Sequence, residues 1–348
     1  MSGGVDSSVA AALLKKQGYE VIGVFMRFWA DEDLQAINRG CSFEAYNDAR
    51  RVANKLEVPL YMMNLKVPFK KWVVDYFLKE YQVGRTPNPC VECNKFIKFG
   101  ELLRKAKAMG ADYVATGHYA IKQENKKTRK QKLLKGKDRQ KDQSYFLYTL
   151  TQDKLKHVLF PVGGYTKPEV RKLAKKLGLP VHAKEDSQEV CFVGLRLRDF
   201  LKKYLTIKSG LIAETETGKM LGRHDGLPFY TIGQRRGLKL GGGPWYVAKI
   251  DARKNILHIS RDKKKLLLKE LIAQKVNWIC DSDIEFPIHV KARIRYKHKE
   301  ASCIIKKEKN IYKIIFDKPQ RAVTPGQSVV FYRGSEVLGG GIIGVSSI

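Results

Sequence analysis

The chain begins with a glycine-containing loop that runs directly into a helical stretch. Residues 2–8 read Ser-Gly-Gly-Val-Asp-Ser-Ser, and an apolar, alanine-rich stretch follows. Free backbone N–H groups and the partial positive charge at a helix N-terminus bind phosphate, and paired glycines let the backbone close on the anion. The segment lacks the Gly-Lys-Ser/Thr ending of a Walker loop. It predicts a phosphate site of another type, with a capped helix after a glycine turn as the alternative.

Charge narrows the class of partner. Lysine and arginine total 66 against 35 aspartate and glutamate residues, a net charge of +31 over 348 residues. Such a field favours a polyanion, most often nucleic acid, with plain solvation as the alternative. The length predicts two or three domains. We find no run of roughly 18 apolar residues and no signal peptide, so we expect no membrane partner.

The first part of the chain alternates helical and strand patterns. Helices are predicted over residues 9–16, 44–56, 68–81 and 96–109, and strands over 20–26, 59–65 and 112–116. This rhythm predicts a doubly wound parallel sheet with helices on both faces. Ligands of such sheets gather at the carboxyl ends of the strands. Met26, Gly117 and the loop at Gly3 all fall at such ends.

A central strand is expected before the phosphate loop, whereas only Met1 precedes it. Loss of that strand would open a gap in the middle of the sheet and leave backbone groups unpaired. The sequence therefore predicts a sheet whose first strand is missing, either because the true start lies upstream or because that strand was lost from this sequence.

The composition and the predicted secondary structure change along the rest of the chain. Residues 122–141 hold ten lysines and arginines, which predicts a basic hairpin or loop, either solvated or in contact with RNA. Helical patterns return at 143–149, 152–158 and 167–177. Beyond about residue 205, eight or more short alternating runs predict one or two small β-barrels.

Cysteines supply the candidate chemistry. The six at positions 41, 90, 93, 191, 280 and 303 are too few and scattered for a secreted disulfide framework, so a reducing cytoplasm is expected. Cys90 and Cys93 lie in TPNPCVECNK, where the prolines disfavour helix and predict a loop. Three cysteines with Cys191 could ligate an iron–sulfur cluster, or two thiols could pass sulfur between them. The other three cysteines are interpreted as small buried hydrophobes.

Over nearly its whole length, the chain resembles the tRNA-specific 2-thiouridylases of the MnmA/TrmU type. The matching segments, in family order, are SGGVDSSVAA, GVFM, CSFEAYNDARRVANKL, GRTPNPCVECNKFIKFG, YVATGHYA, KDQSYFL, FPVGGYTKPEVR, SQEVCFV, YTIGQRRGL and RIRYK. The first segment alone also resembles other ATP pyrophosphatases, such as argininosuccinate, GMP, NAD or lysidine synthetase. TPNPCVECN and SQEVCF narrow the resemblance to the thiouridylases.

The resemblance implies an ATP-dependent tRNA-uridine 2-sulfurtransferase. ATP with Mg²⁺ adenylates the 2-oxygen of the wobble uridine, pyrophosphate leaves, and sulfur then displaces AMP. Cys191 accepts a persulfide from a donor protein, and Cys93 releases sulfide or closes a disulfide with Cys191. Parts of the family have Asp at the position of Cys90, so an iron–sulfur cluster on Cys90, Cys93 and Cys191 stays open as an alternative.

The resemblance also implies site residues. The ATP-binding positions are Ser2, Gly3, Gly4, Val5, Asp6, Ser7, Met26 and Gly117, with Asp6 as a possible Mg²⁺ ligand. The tRNA-binding positions are Asn88, Pro89, Cys90, His118, Lys141, Asp142, Gln143, Arg295, Tyr296 and Gln327. Judged without the family, His118 caps a strand end, Met26 is core, and the RIRYK segment is a strand with a solvated face.

Domain organisation follows the same resemblance. It implies an ATP-pyrophosphatase domain over 1–205, a central linking domain over 206–269 and a tRNA-binding β-barrel over 270–348. The expected substrates are tRNAs of the lysine, glutamate and glutamine type. Two other hypotheses are a different ATP pyrophosphatase, which leaves the charge and the cysteines unexplained, and a non-catalytic RNA-binding protein with an inactive nucleotide site.

Overall fold

The computed structural model describes residues 1–31, 42–185, 190–194, 196–279, 284–309 and 311–344. The α-helices are α1 Val5–Lys16, α2 Phe43–Leu56, α3 Lys66–Phe69, α4 Asp75–Gln82, α5 Pro89–Glu92, α6 Leu103–Ala108, α7 Gln152–Lys156, α8 Lys167–Lys176 and α9 Leu197–Tyr204. π-Helical segments at Lys70–Val74 and Cys93–Leu102 connect α3 to α4 and α5 to α6, and 3₁₀ turns lie at Ser144–Phe146, Leu227–Phe229 and Lys263–Leu266.

Sixteen strands are described, most of them in the second half of the chain. They are β1 Gly23–Arg27, β2 Leu60–Asn64, β3 Val114–Ala115, β4 Ala120–Glu124, β5 Gln131–Lys135, β6 Val158–Leu159, β7 Gly210–Glu214, β8 Met220–His224, β9 Tyr246–Asp251, β10 Ile256–Ser260, β11 Leu267–Trp278, β12 Ile288–Arg293, β13 Ala301–Glu308, β14 Ile311–Arg321, β15 Ser328–Arg333 and β16 Glu336–Ile343.

Parallel strands organise the first part. β1 pairs with β2 and β3 pairs with β6, both in parallel. Within the described residues these are two separate pairs and not one continuous sheet. Helix α1 packs against α2 and α8, and Val5, Val9 and Leu13 lie in the shared core. Local signals start the helices: the Ser42 side chain caps α2, and Thr166 forms a capping box with Glu169 at α8.

The carboxyl-terminal strands form a closed barrel. The order is β11-β14-β13-β12-β15-β16, and antiparallel pairing of β11 with β16 closes it. A core that includes Trp278, Phe316 and Phe331 fills the interior. Between this barrel and the first domain lies a small sheet of order β8-β7-β10-β9 with its own core around Trp245 and Val247. The α/β domain, linking domain and β-barrel predicted from the sequence are confirmed.

The basic stretch is a hairpin, one of the two predicted forms, and it connects domains. β4 pairs with β5 in antiparallel register, and β5 pairs with β16 of the barrel through Leu134 and Glu336. The α/β domain thus adds two strands to the barrel sheet. The predicted helix over 143–149 is wrong: the segment holds only a 3₁₀ turn because its side chains anchor a crossing between domains. Among the described residues, none of the helices has the length and apolar character that crossing a bilayer requires.

Candidate active site

The phosphate loop is shaped by close backbone packing. Gly3 has a φ of +70°, and a β-carbon there would lie 2.2 Å from the Ala45 carbonyl oxygen, so glycine is required. Gly4 precedes the first turn of α1, and Val5 is buried beneath it. The Ser7 hydroxyl donates to the Gly4 carbonyl oxygen over 3.1 Å, and its oxygen accepts from the Ser2 backbone N–H over 3.2 Å. The loop is therefore fixed at the helix N-terminus before any ligand binds.

The loop after β3 lies against this helix start. A β-carbon on Gly117 would lie 2.7 Å from both the Asp6 carbonyl carbon and the Ser7 nitrogen. Only glycine allows that approach. Gly117 and the phosphate loop are thus brought together, and Met26, at the end of β1, packs on the core that contains Leu102 and Val114. The contacts of Met26 agree with the core interpretation of this residue, and its role toward ATP stays a prediction.

Asp6 is engaged by two residues that the sequence did not single out. Its carboxylate accepts hydrogen bonds from Lys167 Nζ at 2.7 and 2.9 Å and from the Tyr119 hydroxyl at 2.7 Å. Lys167 is 7% exposed and begins α8. A buried ammonium beside the phosphate loop supplies positive charge where pyrophosphate would develop. The capping box that fixes the start of α8 was a signal that could have drawn attention to Lys167.

The cysteine pair lies on a helix, so the predicted loop is wrong. Pro89 occupies the first position of α5, where its missing N–H removes no helical hydrogen bond. Cys90 is exposed on α5, whereas Cys93 is buried at the start of the next helical segment. The two cysteines are therefore one helical turn apart and present their thiols to different surroundings.

Cys191 lies on a segment that packs on the same core as Cys93. Phe192 and Val193 share a hydrophobic cluster with Cys93 and Ile97, while Cys191 itself is exposed. Residues 187–189 of its motif lie outside the described residues. The packing brings the two segments that hold the predicted catalytic thiols to one side of the domain.

The described cysteines do not form a metal site. Across the described ranges, no three residues among His, Cys, Asp and Glu are grouped closely enough to hold a metal ion. Cys90, Cys93 and Cys191 therefore do not fit an iron–sulfur cluster, and we derive no step through one. Cys303 is buried in the barrel core, as predicted, and burial raises the pKa of its thiol to about 12. Cys41 and Cys280 lie outside the described residues.

The linking domain and the barrel both contact the segment of the first domain that leads into α5. Gln327 of the barrel donates from Nε2 to the carbonyl oxygens of Thr86 and Pro87. The Thr86 hydroxyl lies 3.1 Å from that of Thr231 in the linking domain. A β-carbon on Gly326 would lie 2.9 Å from the Thr86 carbonyl oxygen. The structure therefore places Gln327, a predicted tRNA contact, in a clamp on the cysteine helix.

Other predicted tRNA contacts of the barrel lie beside the same helix. Tyr296 packs on Phe146 with ring centroids 4.5 Å apart, and burial raises its pKa to about 12. Arg295 donates to the Arg321 carbonyl oxygen over 3.2 Å, and its pKa is lowered by burial and by the Arg321 guanidinium. A guanidinium that shares its surroundings with a second cation favours an anion. Asn88 is half-buried and lies at the cap position that precedes α5.

Three of the residues that are predicted to contact tRNA form hydrogen bonds within the protein. Asp142 is 2% exposed and accepts from the N–H groups of Gly136 and Ser144 and from Arg293 of the barrel. Gln143 exchanges two hydrogen bonds with the Tyr119 backbone. His118 is 7% exposed and bonds to Thr116, and burial holds its pKa well below the usual value.

These contacts bear on the predicted roles of the three residues. The surroundings of His118 agree with its interpretation as a strand-end cap. Asp142 and Gln143 hold a turn and an interdomain crossing. Of the adjacent triplet, Lys141 and Gln143 are partly exposed, and the Lys141 backbone N–H donates to Asp138 over 3.2 Å. The roles of His118, Lys141, Asp142 and Gln143 toward tRNA stay predictions.

Comparison with known proteins identifies the family. Family models described as a tRNA methyl transferase HUP domain, a tRNA methyl transferase PRC-barrel domain and an aminomethyltransferase β-barrel domain match residues 1–195, 198–261 and 268–343. A tRNA-specific 2-thiouridylase MnmA of Acetivibrio thermocellus is 50% identical over 99% of this chain and 97% of its own length. The chain belongs to the tRNA-specific 2-thiouridylase family.

Further relatives of this thiouridylase support the same assignment. MnmA 2 of Caldanaerobacter subterraneus subsp. tengcongensis is 52% identical over 99% of this chain and 96% of its own length. MnmA of Clostridioides difficile is 49% identical with the same coverage. Among solved structures, a predicted subunit of tRNA methyltransferase from Methanocaldococcus jannaschii aligns with 16% identity over 50% of this chain and 73% of its own, at a TM-score of 0.29, too low to bear on the fold.

Proposed function

We propose that this protein is an ATP-dependent tRNA-uridine 2-sulfurtransferase that converts the wobble uridine of tRNA to 2-thiouridine. The observation that carries the proposal is the common packing of the Cys93 and Cys191 segments on one core, next to a segment that the linking domain and the barrel both contact. The net charge of +31 and the names of the family members support tRNA as the substrate. Expected substrates are tRNAs of the lysine, glutamate and glutamine type.

Activation comes first. The 2-oxygen of the uridine attacks the α-phosphorus of ATP, the bond to the β-phosphate oxygen breaks, and pyrophosphate leaves. The N–H groups at the start of α1 and the Lys167 ammonium are placed to stabilise the leaving group. Mg²⁺ would screen the phosphates when bound, and Asp6 is its candidate ligand. Activation is needed because oxygen bound to C2 leaves readily only as a phosphate ester.

Sulfur transfer follows. A donor protein leaves a persulfide on Cys191, whose terminal sulfur attacks C2 of the uridine and expels AMP. The Cys93 thiolate then attacks Cys191 Sγ, which forms a Cys93–Cys191 disulfide and releases 2-thiouridine. Alternatively Cys93 attacks first, and the sulfide it frees attacks C2. Both routes end in the same disulfide, which a cellular thiol must reduce, as a cytoplasmic location would allow.

A nucleoside assay tests the proposal. Protein, Mg²⁺, ATP, an unmodified tRNA transcript with uridine at the wobble position and a persulfide donor are incubated, and the digested RNA is analysed by mass spectrometry. We expect 2-thiouridine with ATP and none with α,β-methylene ATP, which cannot release pyrophosphate. A transcript with cytidine at the wobble position is the matched control. Failure to form 2-thiouridine from any of the three expected tRNAs would contradict the proposal.

A further inference from the structure

Two stacked aromatic rings lie about one helical turn beyond Cys93. The rings of Trp72 and Phe96 have centroids 4.4 Å apart and planes inclined by 13°. Phe96 follows Cys93 by three residues on the same helical segment and packs on the same core. Trp72 is 39% exposed although its neighbours Val73 and Val74 are buried. A large, exposed ring is therefore held against Phe96 near the predicted catalytic thiol.

Lysines flank this pair. The Lys71 ammonium lies 5.0 Å from the centroid of the Trp72 ring, and the Lys95 ammonium lies 4.9 Å from that of Phe96. Because Phe96 covers one face of the indole, Lys71 lies toward the other. Among the described residues, neither lysine lies within ion-pair distance of a carboxylate, although Lys95 is near enough to the mostly buried Glu92 to oppose the rise in its pKa that burial causes. The pair thus combines an accessible aromatic face with cations that are available to an anion.

A third ammonium strengthens the positive charge. Lys154 Nζ donates to the Lys95 carbonyl oxygen over 3.1 Å. Burial, followed by the nearby Lys95 ammonium, lowers the pKa of Lys154. Ammonium groups that repel one another favour a phosphate between or beside them. Aromatic rings with adjacent cations are the surface on which single-stranded nucleic acids stack their bases.

We propose that Trp72 stacks on an unpaired base of the tRNA anticodon loop, next to the uridine that is modified, while Lys71 and Lys95 contact the flanking phosphates. This inference rests on the proposed function and deepens it, since it adds a positioning residue outside the thiol pair. A base that stacks on the indole takes the place of the Lys71 ammonium, which then turns to the backbone phosphate. This aromatic platform, formed by Trp72 on Phe96, recognises a single-stranded loop. It does not recognise a duplex, because the bases of a duplex are already stacked on one another.

Substitutions at Trp72 test the platform. Trp72→Leu keeps an apolar side chain over Phe96 but removes the ring, and Trp72→Phe keeps a smaller ring. Tyr113→Leu is the matched control, because Tyr113 is 44% exposed beneath the Lys122 ammonium and precedes β3 at the end opposite Gly117. Each variant is assayed for KM and kcat with tRNA, for Kd with an anticodon stem-loop and with a loop-free RNA duplex, and for its unfolding midpoint.

We expect Trp72→Leu to raise KM for tRNA and Kd for the stem-loop by about tenfold. Trp72→Phe should fall between it and the wild type, and kcat, duplex binding and the unfolding midpoint should stay unchanged. Unchanged stem-loop binding by Trp72→Leu, or an equal loss for the duplex, would overturn the platform while leaving wild-type thiolation intact. A different result would separate the two proposals. If stem-loop binding depends on the Trp72 ring but the wild type forms no 2-thiouridine, the proposed function is contradicted and the platform is supported.

Discussion

The side-chain amide of Gln327 donates hydrogen bonds to the backbone carbonyl oxygens of Thr86 and Pro87, over 2.9 and 3.1 Å. Gln327 belongs to the barrel, whereas Thr86 and Pro87 lead into the helix that presents Cys90 and Cys93. Barrel and cysteine helix are therefore aligned by a direct interdomain contact. A barrel that binds tRNA would, through this contact, set the position of the thiols relative to the bound base.

Removal of this clamp should affect activity more than stability. Gln327→Ala loses two hydrogen bonds, each worth about 1 kcal/mol net, so the free energy of unfolding should fall by about 1–2 kcal/mol. Because small misplacements of reacting groups slow reactions strongly, kcat for thiolation should fall by about tenfold or more. Gln320→Ala is the control, since the Gln320 side chain donates to the Lys318 carbonyl oxygen within its own strand. Equal kcat values for the two variants would argue against the clamp.

Lys167 should be needed for activation by ATP. Lys167→Met removes the ammonium that bonds both oxygens of Asp6 and leaves that carboxylate without its cation. We expect tRNA-dependent exchange of pyrophosphate into ATP to fall by about a hundredfold, and Tyr119→Phe to have a smaller effect. Lys15→Met is the control, because Lys15 forms an exposed ion pair with Glu57 at the opposite end of α1 from the phosphate loop. Normal exchange by the Lys167 variant would show that this ammonium does not act on the phosphates.

Asp142 should contribute to the free energy of unfolding through its ion pair with Arg293. Its carboxylate is buried and pairs with Arg293, so Asp142→Ala leaves a largely buried guanidinium with one partner fewer. The free energy of unfolding should fall by about 3 kcal/mol, as measured by urea denaturation. Glu270→Gln, which breaks the exposed pair with Lys313, should cost under about 1 kcal/mol. A stable Asp142→Ala variant with weakened tRNA binding would restore the contact role predicted from the sequence.

His118 makes the fold sensitive to acid. Burial lowers its pKa, so the unfolded chain binds a proton below about pH 6.5 while the folded chain does not. Stability therefore falls as pH drops below that value and is unaffected above it. His118→Gln should reduce the difference between urea midpoints at pH 7.5 and 5.5, whereas His289→Gln, at an exposed position, should not. An unchanged difference in the His118 variant would contradict this assignment.

The sequence predicted the parts of the site that depend on local pattern. Gly3 and Gly117, at a helix start and at a strand end, are both predicted at the edge of the sheet where ligands gather, and the Gly117 backbone does lie against Asp6 and Ser7 at the start of α1. The prolines before Cys90 predict a loop, and this prediction is wrong. Pro89 occupies the first position of a helix, a position that also suits proline.

The sequence did not predict the ion pairs between residues that are far apart in the chain. Lys167 reaches Asp6 across 161 residues, and Arg293 reaches Asp142 across 151. Such partners depend on how α8 and the barrel pack, and no local periodicity encodes that. The resemblance implies a tRNA contact at Asp142, and no local pattern indicated that an interdomain ion pair with Arg293 would bury its carboxylate.

The central claim is that Cys191 carries the sulfur to the uridine and that Cys93 completes its release. In a single-turnover experiment, the protein is loaded with a ³⁵S-persulfide, separated from the donor and mixed with tRNA, ATP and Mg²⁺. We predict that label passes from the wild type and from Cys303→Ser to 2-thiouridine, that Cys191→Ser takes up no label, and that Cys93→Ser takes up label but yields no free product. Labelled 2-thiouridine from the Cys191→Ser variant would contradict the account.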